Sequence, residues 1–355
     1  MTPAQYRHFG CRITDDLLYK GMRTIFLEND LLRVGILLDK GADIFQFLYK
    51  PADVDFLWRS PQGLVPPSHF TATRASASGA FLDSYHGGWQ EILPGGGPVD
   101  YRGAELGLHG EVTNLGWEYT ILEDRPDCTS VRLSVDCIRT PLRLERVMRL
   151  ETGRPTLFID ETLTNTSPEE LDLMWGHHPA FGAPFLREGV RLFVPAGEAQ
   201  VHSPRFAESG LLEPGASFPW PLAPTNGSAI DLSCVPGLQA GFAELLYLKN
   251  LSGGWYAVLD PQKKVGFGLS WPTEIFPYLW FWMVYGRAPG YPWWNRVYVI
   301  ALEPWTSIPN SLDQALQTGA ARHLKGGEQL NVSLTASAIA GLDRIHHINP
   351  NGSIE

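Results

Sequence analysis

Short apolar runs broken by turn-forming residues recur along almost the whole chain. Residues 24–27, 32–37 and 44–49 form a first set, and their β-branched and aromatic content predicts strands. Residues 117–122, 130–135, 142–147 and 157–163 form a second. In the last of these, apolar and polar positions alternate, as on a strand with one buried face. Residues 256–259 and 265–269 flank Asp260-Pro-Gln-Lys-Lys264, a turn-rich connector that predicts a hairpin. Residues 296–302 and 330–335 supply late strands. One helix is predicted, over residues 310–324, with Asn310 or Ser311 as its cap. Many strands without alternating helices predict an all-β protein built as a large antiparallel β-sandwich. Residues 201–226, rich in Pro, Gly and Ser, read as a long surface excursion from a single domain spanning 1–340. Residues 341–355 read as a peripheral tail.

Composition narrows the setting. The 355 residues are 44% hydrophobic and only 19% charged, enough for a sizeable core and unlike a disordered chain. The net charge of −10 argues against nucleic acid or an anionic membrane as partner, since both need a basic footprint. No early stretch has the pattern of a signal peptide, and apolar runs stop well short of the ~20 residues of a membrane helix. A cytoplasmic protein is expected. Cys11, Cys128, Cys137 and Cys234 lack CxxC spacing, which favours free thiols over a disulfide or zinc role.

Candidate chemistry is concentrated in a few polar residues set among apolar ones. His177 and His178 lie in Trp175-Gly-His-His-Pro-Ala-Phe-Gly182. Adjacent strand residues point to opposite faces, so at most one of the two enters a given cleft. Pro179 suggests that the strand ends there or lies at an edge. A histidine so placed can give and recover a proton near neutral pH, or can simply be a hydrogen-bonded structural residue. Glu303, in Leu302-Glu-Pro304, follows an apolar run and needs compensation if buried. It reads as a general base or as half of a salt bridge. His109, between glycines in Gly107-Leu-His-Gly110, marks a close approach to a ligand or a mere turn. Arg74 could orient a substrate or be a surface charge. The 12 tryptophans include Trp89, Trp175, Trp271, Trp280, Trp282, Trp293, Trp294 and Trp305 near these residues or the late strands. They read as core or as faces for a sugar ring. In 278–283, alternate rings must face opposite ways, so one set meets a cleft or a subunit interface. No P-loop, GxGxxG, HExxH or GxSxG motif is present. His177, His178 and Glu303 make an awkward metal set, because the histidines are adjacent.

In order along the chain, Gly41-Ala-Asp-Ile44, Asp55-Phe-Leu-Trp58, Gly87-Gly-Trp-Gln-Glu-Ile-Leu-Pro94, Leu108-His-Gly-Glu111, Trp117, His178-Pro-Ala-Phe181 and Leu302-Glu-Pro304 resemble motifs of the aldose 1-epimerase (galactose mutarotase-like) superfamily. The resemblance implies a supersandwich with an open groove on one sheet and cofactor-independent interconversion of sugar anomers. It implies His178 as proton donor, Glu303 as base and His109 as a stabiliser of charge on oxygen. Arg74, Glu244, Trp175, His177 and Trp89 would contact substrate, Glu244 replacing an aspartate of relatives. A nearby cation would keep Glu303 ionised, and the carboxylate would keep His178 protonated. The implied partner is a small carbohydrate, with a homodimer left open and no metal or cofactor required. Ala180 departs from the family's aromatic residue, and the Asn-Arg signature of galactose mutarotases is missing. Two alternatives remain. One is an epimerase for a phosphorylated or acidic sugar, needing Arg74, Arg102, Arg287 and Arg296 to converge; the other is a non-catalytic carbohydrate-binding domain.

Overall fold

The computed structural model describes residues 7–66, 78–225 and 227–355. The strand periodicity yields two large antiparallel sheets. The first runs from Arg12–Tyr19 at one edge through Met22–Glu28, Leu32–Leu37, Asp43–Tyr49 and Trp89–Ile92 to Gly176–Gly182. It continues through Tyr298–Trp305, Tyr278–Tyr285, Ala243–Lys249 and Glu198–Val201 to Ser217–Pro219. The second orders Arg191–Phe193, Trp255–Asp260, Val265–Ser270, Gln329–Ala340, Thr156–Asn165, Leu142–Glu151, Cys128–Asp136 and Glu118–Asp124. The architecture is thus the large antiparallel β-sandwich that the alternation implies, and the hairpin around residues 260–264 is present. Residues 217–219 of the expected excursion join the edge of the first sheet.

The two sheets meet over an aromatic and aliphatic core. Phe267 of the second sheet packs against Phe47, Trp89 and Phe181 of the first. Gly176–Gly182 and Tyr298–Trp305 are almost wholly buried and occupy the middle of the first sheet. Pro179 therefore sits within a central strand, not at its end or edge. It lacks an N–H, and pairing with Tyr298–Trp305 lapses after Gly176 and resumes at Ala180. The predicted helix shrinks to Leu312–Gln317. Gly319 leaves the helical conformation at φ +69, and Arg322–Leu324 pairs instead with Leu171–Leu173. The tail packs on the outer face of the second sheet, where Ile345 and Ile348 join Trp255, Leu259 and Ile339. All four cysteines are free. No helix of the described residues is long and apolar enough to cross a membrane.

One polar group of residues bridges the apolar interface between sheets. Arg146 and Glu161 are cross-strand partners on the second sheet, as are Glu91 and His177 on the first. Arg146 Nε lies 2.8 Å from Glu161 Oε1, and its other arm pairs with Glu91. His177 Nδ1 is 3.3 Å from Glu91 and its Nε2 is 3.2 Å from Glu161. The Trp175 indole N–H also donates to Glu91. With both carboxylates ionised, the guanidinium and an imidazolium balance them to zero net charge, and burial and then Glu161 push Glu91 up to about 7. Removing one member leaves the others uncompensated. Arg146→Met is expected to cost about 3–5 kcal/mol of stability, read as a lowered urea midpoint. A loss below about 1 kcal/mol would show that the node does not hold the sheets together.

Candidate active site

Register alone brings the two principal polar residues together. Gly176 lies opposite Trp305 and Ala180 opposite Ala301, so His178 falls opposite Glu303 midway between them. Cross-strand partners share a face of the sheet. The same row continues to Gln90 on one side and to Trp280 and Tyr247 on the other. His178 Nε2 is 3.4 Å from Glu303 Oε1. The indole N–H of Trp305 donates to Glu303 Oε2 at 3.0 Å, while its ring stacks on Trp280 at 3.9 Å. Gly176 is needed opposite that indole, because a Cβ there would enter the ring. On the other side of His178, the Tyr85 hydroxyl approaches Nδ1 at 3.3 Å.

His109 arrives from a turn above the sheet. Its φ of +63° is a left-handed conformation costly for a side-chain-bearing residue, and its N–H is tied to Gly96 O at 2.7 Å. Gly110 follows with φ +70°, where a Cβ would strike the Leu93 carbonyl. Glu111 anchors the turn by accepting N–H groups of Ile138 and Arg139 at 2.8 and 2.7 Å. The His109 ring thereby comes to 5.3 Å from the His178 ring, centre to centre. His109 Nδ1 is buried without a hydrogen-bond partner among the described residues.

These residues form the floor of a groove of about 620 Å³, mouth included. Its walls are mostly carbon, with Phe81, Leu108, Leu245, Trp280, Trp282 and Trp293 prominent. Alternation in Tyr278–Tyr285 explains the split: Trp280 and Trp282 line the groove while Leu279 and Phe281 enter the core.

Burial governs the electrostatics. It pushes the Glu303 carboxyl up to about 8, against a smaller downward pull from the Trp305 N–H. It pushes His178 down to about 4. His109 is held well below the usual imidazole value by burial and then by His178. Burial and then Glu303 hold Tyr85 well above the usual phenol value, so it remains a hydroxyl donor. The expected cation beside Glu303 is not among the described residues, whose contacts to this carboxylate are His178 and Trp305. The expectation of an ionised Glu303 beside a protonated His178 is not met among the described residues, which do not include Arg74. Desolvation without a neighbouring cation favours the neutral forms of both. The histidine whose pKa is raised is instead His177: burial would lower it, but Glu91 and Glu161 outweigh that.

Several expected contacts lie elsewhere. His177, Trp175 and Trp89 belong to the core side: His177 and Trp175 meet Glu91, and the Trp89 indole nitrogen lies 3.3 Å from His177 Nδ1. Glu244 is not in the groove; its carboxylate accepts N–H groups of Leu211 and Leu212 and holds that loop. Arg74 lies outside the described residues. Arg102, Arg287 and Arg296 are exposed and line no part of the groove, so they do not converge there. His177 and His178 face opposite ways and cannot share one ion. Glu91, Glu161 and His177 could offer ligands to a metal, but Arg146 already pairs with both carboxylates. Tyr85 was not predicted. No motif marks it, and only its position just before Gly87-Gly88-Trp89, whose strand pairs with that of His178, hints at the site.

Solved structures share this fold across nearly the whole chain. A candidate aldose 1-epimerase from Klebsiella pneumoniae superposes with a TM-score of 0.73 at 17% identity, covering 93% of this chain and 83% of that one. A candidate aldose 1-epimerase from Escherichia coli K12 gives 0.62 at 16% identity, covering 90% and 100%. A galactose mutarotase-like protein from Clostridium acetobutylicum gives 0.62 at 15%, covering 93% and 99%. The architecture is therefore that of the galactose mutarotase-like sandwiches. No curated protein matches the sequence. A family model spans residues 19–338, and the chain belongs to that family, described as a domain of unknown function, DUF4432.

Proposed function

We propose that this protein is an aldose mutarotase: it interconverts the α and β anomers of a sugar by opening and reclosing the ring. The observation that carries the reading is the pairing of His178 with Glu303 across 3.4 Å at the floor of a carbon-walled groove. Burial leaves this pair holding one proton near neutral pH, because one partner is raised and the other lowered.

One proton is what ring opening needs. With the pair ionised, Glu303 takes the proton of the anomeric hydroxyl as the C1–O double bond forms. The C1–ring oxygen bond breaks, and His178 delivers its proton to that oxygen. The pair is left as carboxylic acid and neutral imidazole, the state that burial favours. After rotation about C1–C2, Glu303 returns its proton to the carbonyl oxygen while His178 recovers the other. The sugar is isomerised with no net proton gained or lost. His109, neutral in this environment, can offer an N–H to an oxygen gaining charge, and the Tyr85 hydroxyl fixes the orientation of His178.

Each acid–base partner is typically worth about 100- to 10,000-fold. Glu303→Gln and His178→Asn are accordingly expected to lower mutarotation by about that factor, measured by polarimetry on freshly dissolved aldoses, with circular dichroism unchanged. Rates near wild type in both would end the proposal. Tyr85→Phe is expected to have a smaller effect, about tenfold. The one-proton pair also sets a pH profile. The kcat/KM of the free enzyme is expected to be bell-shaped, falling as pH drops through about 4 and as it rises through about 8. A profile flat from 3 to 10 would contradict it.

The reading also predicts a stability cost. The folded-state value of Glu303 is raised, so the stability tied to its proton is complete below the ordinary carboxylate value and lost as pH climbs through about 8. Glu303→Gln has no proton to lose. Its thermal midpoint is expected to gain on wild type between pH 5 and pH 8; an advantage independent of pH would be inconsistent with a buried, protonated Glu303.

A further inference from the structure

We propose that Asn310 is a sugar-binding residue of this groove and that it hydrogen-bonds the C2 hydroxyl of a 2-hydroxyaldose. The inference rests on the mutarotase reading, which fixes the part of the ring that faces each wall. Glu303 serves the anomeric hydroxyl and His178 the ring oxygen. C1 has two ring neighbours, the ring oxygen and C2, so C2 lies on the side of C1 away from the atom that His178 serves. Its hydroxyl is the one nearest to the anomeric hydroxyl. A hydrogen-bonding side chain beyond Glu303, on the side away from His178, therefore meets the C2 hydroxyl first.

Asn310 stands in that place. Along the row of the sheet, Glu303 is followed by Trp280 and then by Tyr247. The Asn310 N–H donates to the Tyr247 hydroxyl at 3.0 Å. That hydroxyl also lies 2.7 Å from Nδ1 of His202, a ring that burial lowers, so the tyrosine donates to a neutral imidazole. On the other side, Asn310 O accepts the Gly97 N–H, and Gly96 O accepts the His109 N–H at 2.7 Å. The Gly95-Gly-Gly97 run thus fastens His109 and Asn310 to one segment. A Cβ on Gly96 would come within 2.5 Å of Asn310 O and 2.8 Å of Trp280 Cη2, so only glycine lets the three approach so closely.

The backbone of Asn310 is held at both its N–H and its carbonyl, yet its side chain has no hydrogen-bond partner among the described residues while the residue lines the groove. It does not cap the helix that follows, whose N-cap is Ser311. A carboxamide offers both donor and acceptor, which matches a sugar hydroxyl. The other polar groups of the groove lie nearer His178. The His109 ring is 5.3 Å from it, and Trp282 is 5.8 Å away with Trp293 beside it at 5.7 Å, all between ring centres.

The test uses aldose pairs that differ only at C2: D-glucose and 2-deoxy-D-glucose, D-galactose and 2-deoxy-D-galactose, D-ribose and 2-deoxy-D-ribose. Anomer exchange is measured by NMR, and binding of the same sugars is titrated separately. In the pair handled best, the wild-type enzyme is expected to show roughly tenfold higher kcat/KM for the 2-hydroxy member, the effect of one hydrogen bond. Asn310→Leu keeps the bulk and removes both hydrogen-bonding ends. It is expected to bring the two members close to parity by weakening the 2-hydroxy sugar, and Asn310→Ala to do the same without added carbon. Neither variant removes a contact within the protein, so both are expected to keep the wild-type thermal midpoint. Equal or better handling of the 2-deoxy member by the wild-type enzyme would overturn the inference. A preference unchanged in both variants would do so too, and either result leaves the mutarotase reading standing. Binding that favours the 2-hydroxy member through Asn310, with no catalysed exchange, would keep the C2 contact and overturn the mutarotase reading.

Discussion

Strand parity at His177 and His178 is the constraint on which the site depends. Two identical residues, adjacent in sequence, are given opposite faces, opposite surroundings and opposite pKa shifts. His177 is locked into the ionic node with Glu91, Glu161 and Arg146 and is raised by the two carboxylates. His178 faces the groove, where burial lowers it to about 4. A slip of one residue would exchange these roles, leaving an unpaired charge in the core and no partner for Glu303. The node joins both sheets, so it fixes the register of the central strand at the position where the groove needs it. In this sense the charges between the sheets specify the site on the far side of one of them.

Among the described residues, desolvation then acts on Glu303 with the sign opposite to that of the expected cation. An arginine beside Glu303 would commit the pair to the ionised form. Burial among Trp280, Trp282 and Trp305 instead favours the neutral form, and the Trp305 N–H offsets part of the cost of ionising. The energy separating the two arrangements of one proton is thereby set by packing. The tryptophans that stack at the floor shape the groove and tune its chemistry together.

The sandwich was legible because alternation and turn chemistry are local signals, repeated strand after strand. Leu157 to Leu163 is a clear instance: it alternates in sequence and forms the inner part of Thr156–Asn165. The helix over 310–324 was overextended because Gly319, a local stop signal, was read through, and because the pairing of Arg322–Leu324 with Leu171–Leu173 is a tertiary fact. Within the site, parity could say that His177 and His178 diverge, and motif resemblance favoured His178. Parity could not say which tryptophans line the groove, because that needs the phase of each strand relative to the core. Trp89 and Trp175 fell on the core side for this reason. Glu244 differs again, since its two N–H partners come from a loop more than thirty residues away. Tyr85 carried no periodic or motif signal at all, being placed by the loop that precedes Trp89–Ile92.

The charge state of the pair and the walls of the groove are aspects of one design. A His–Glu pair that passes one proton back and forth is poised by its surroundings, and any fixed charge nearby shifts the energy between its two arrangements. A guanidinium would hold the proton off Glu303. A substrate phosphate would favour the imidazolium and oppose the carboxylate. Carbon walls add no charge of either sign, and their desolvation favours the uncharged arrangement. On this account, adding hydrogen-bonding side chains to the groove would shift the pH range over which the pair holds its one proton.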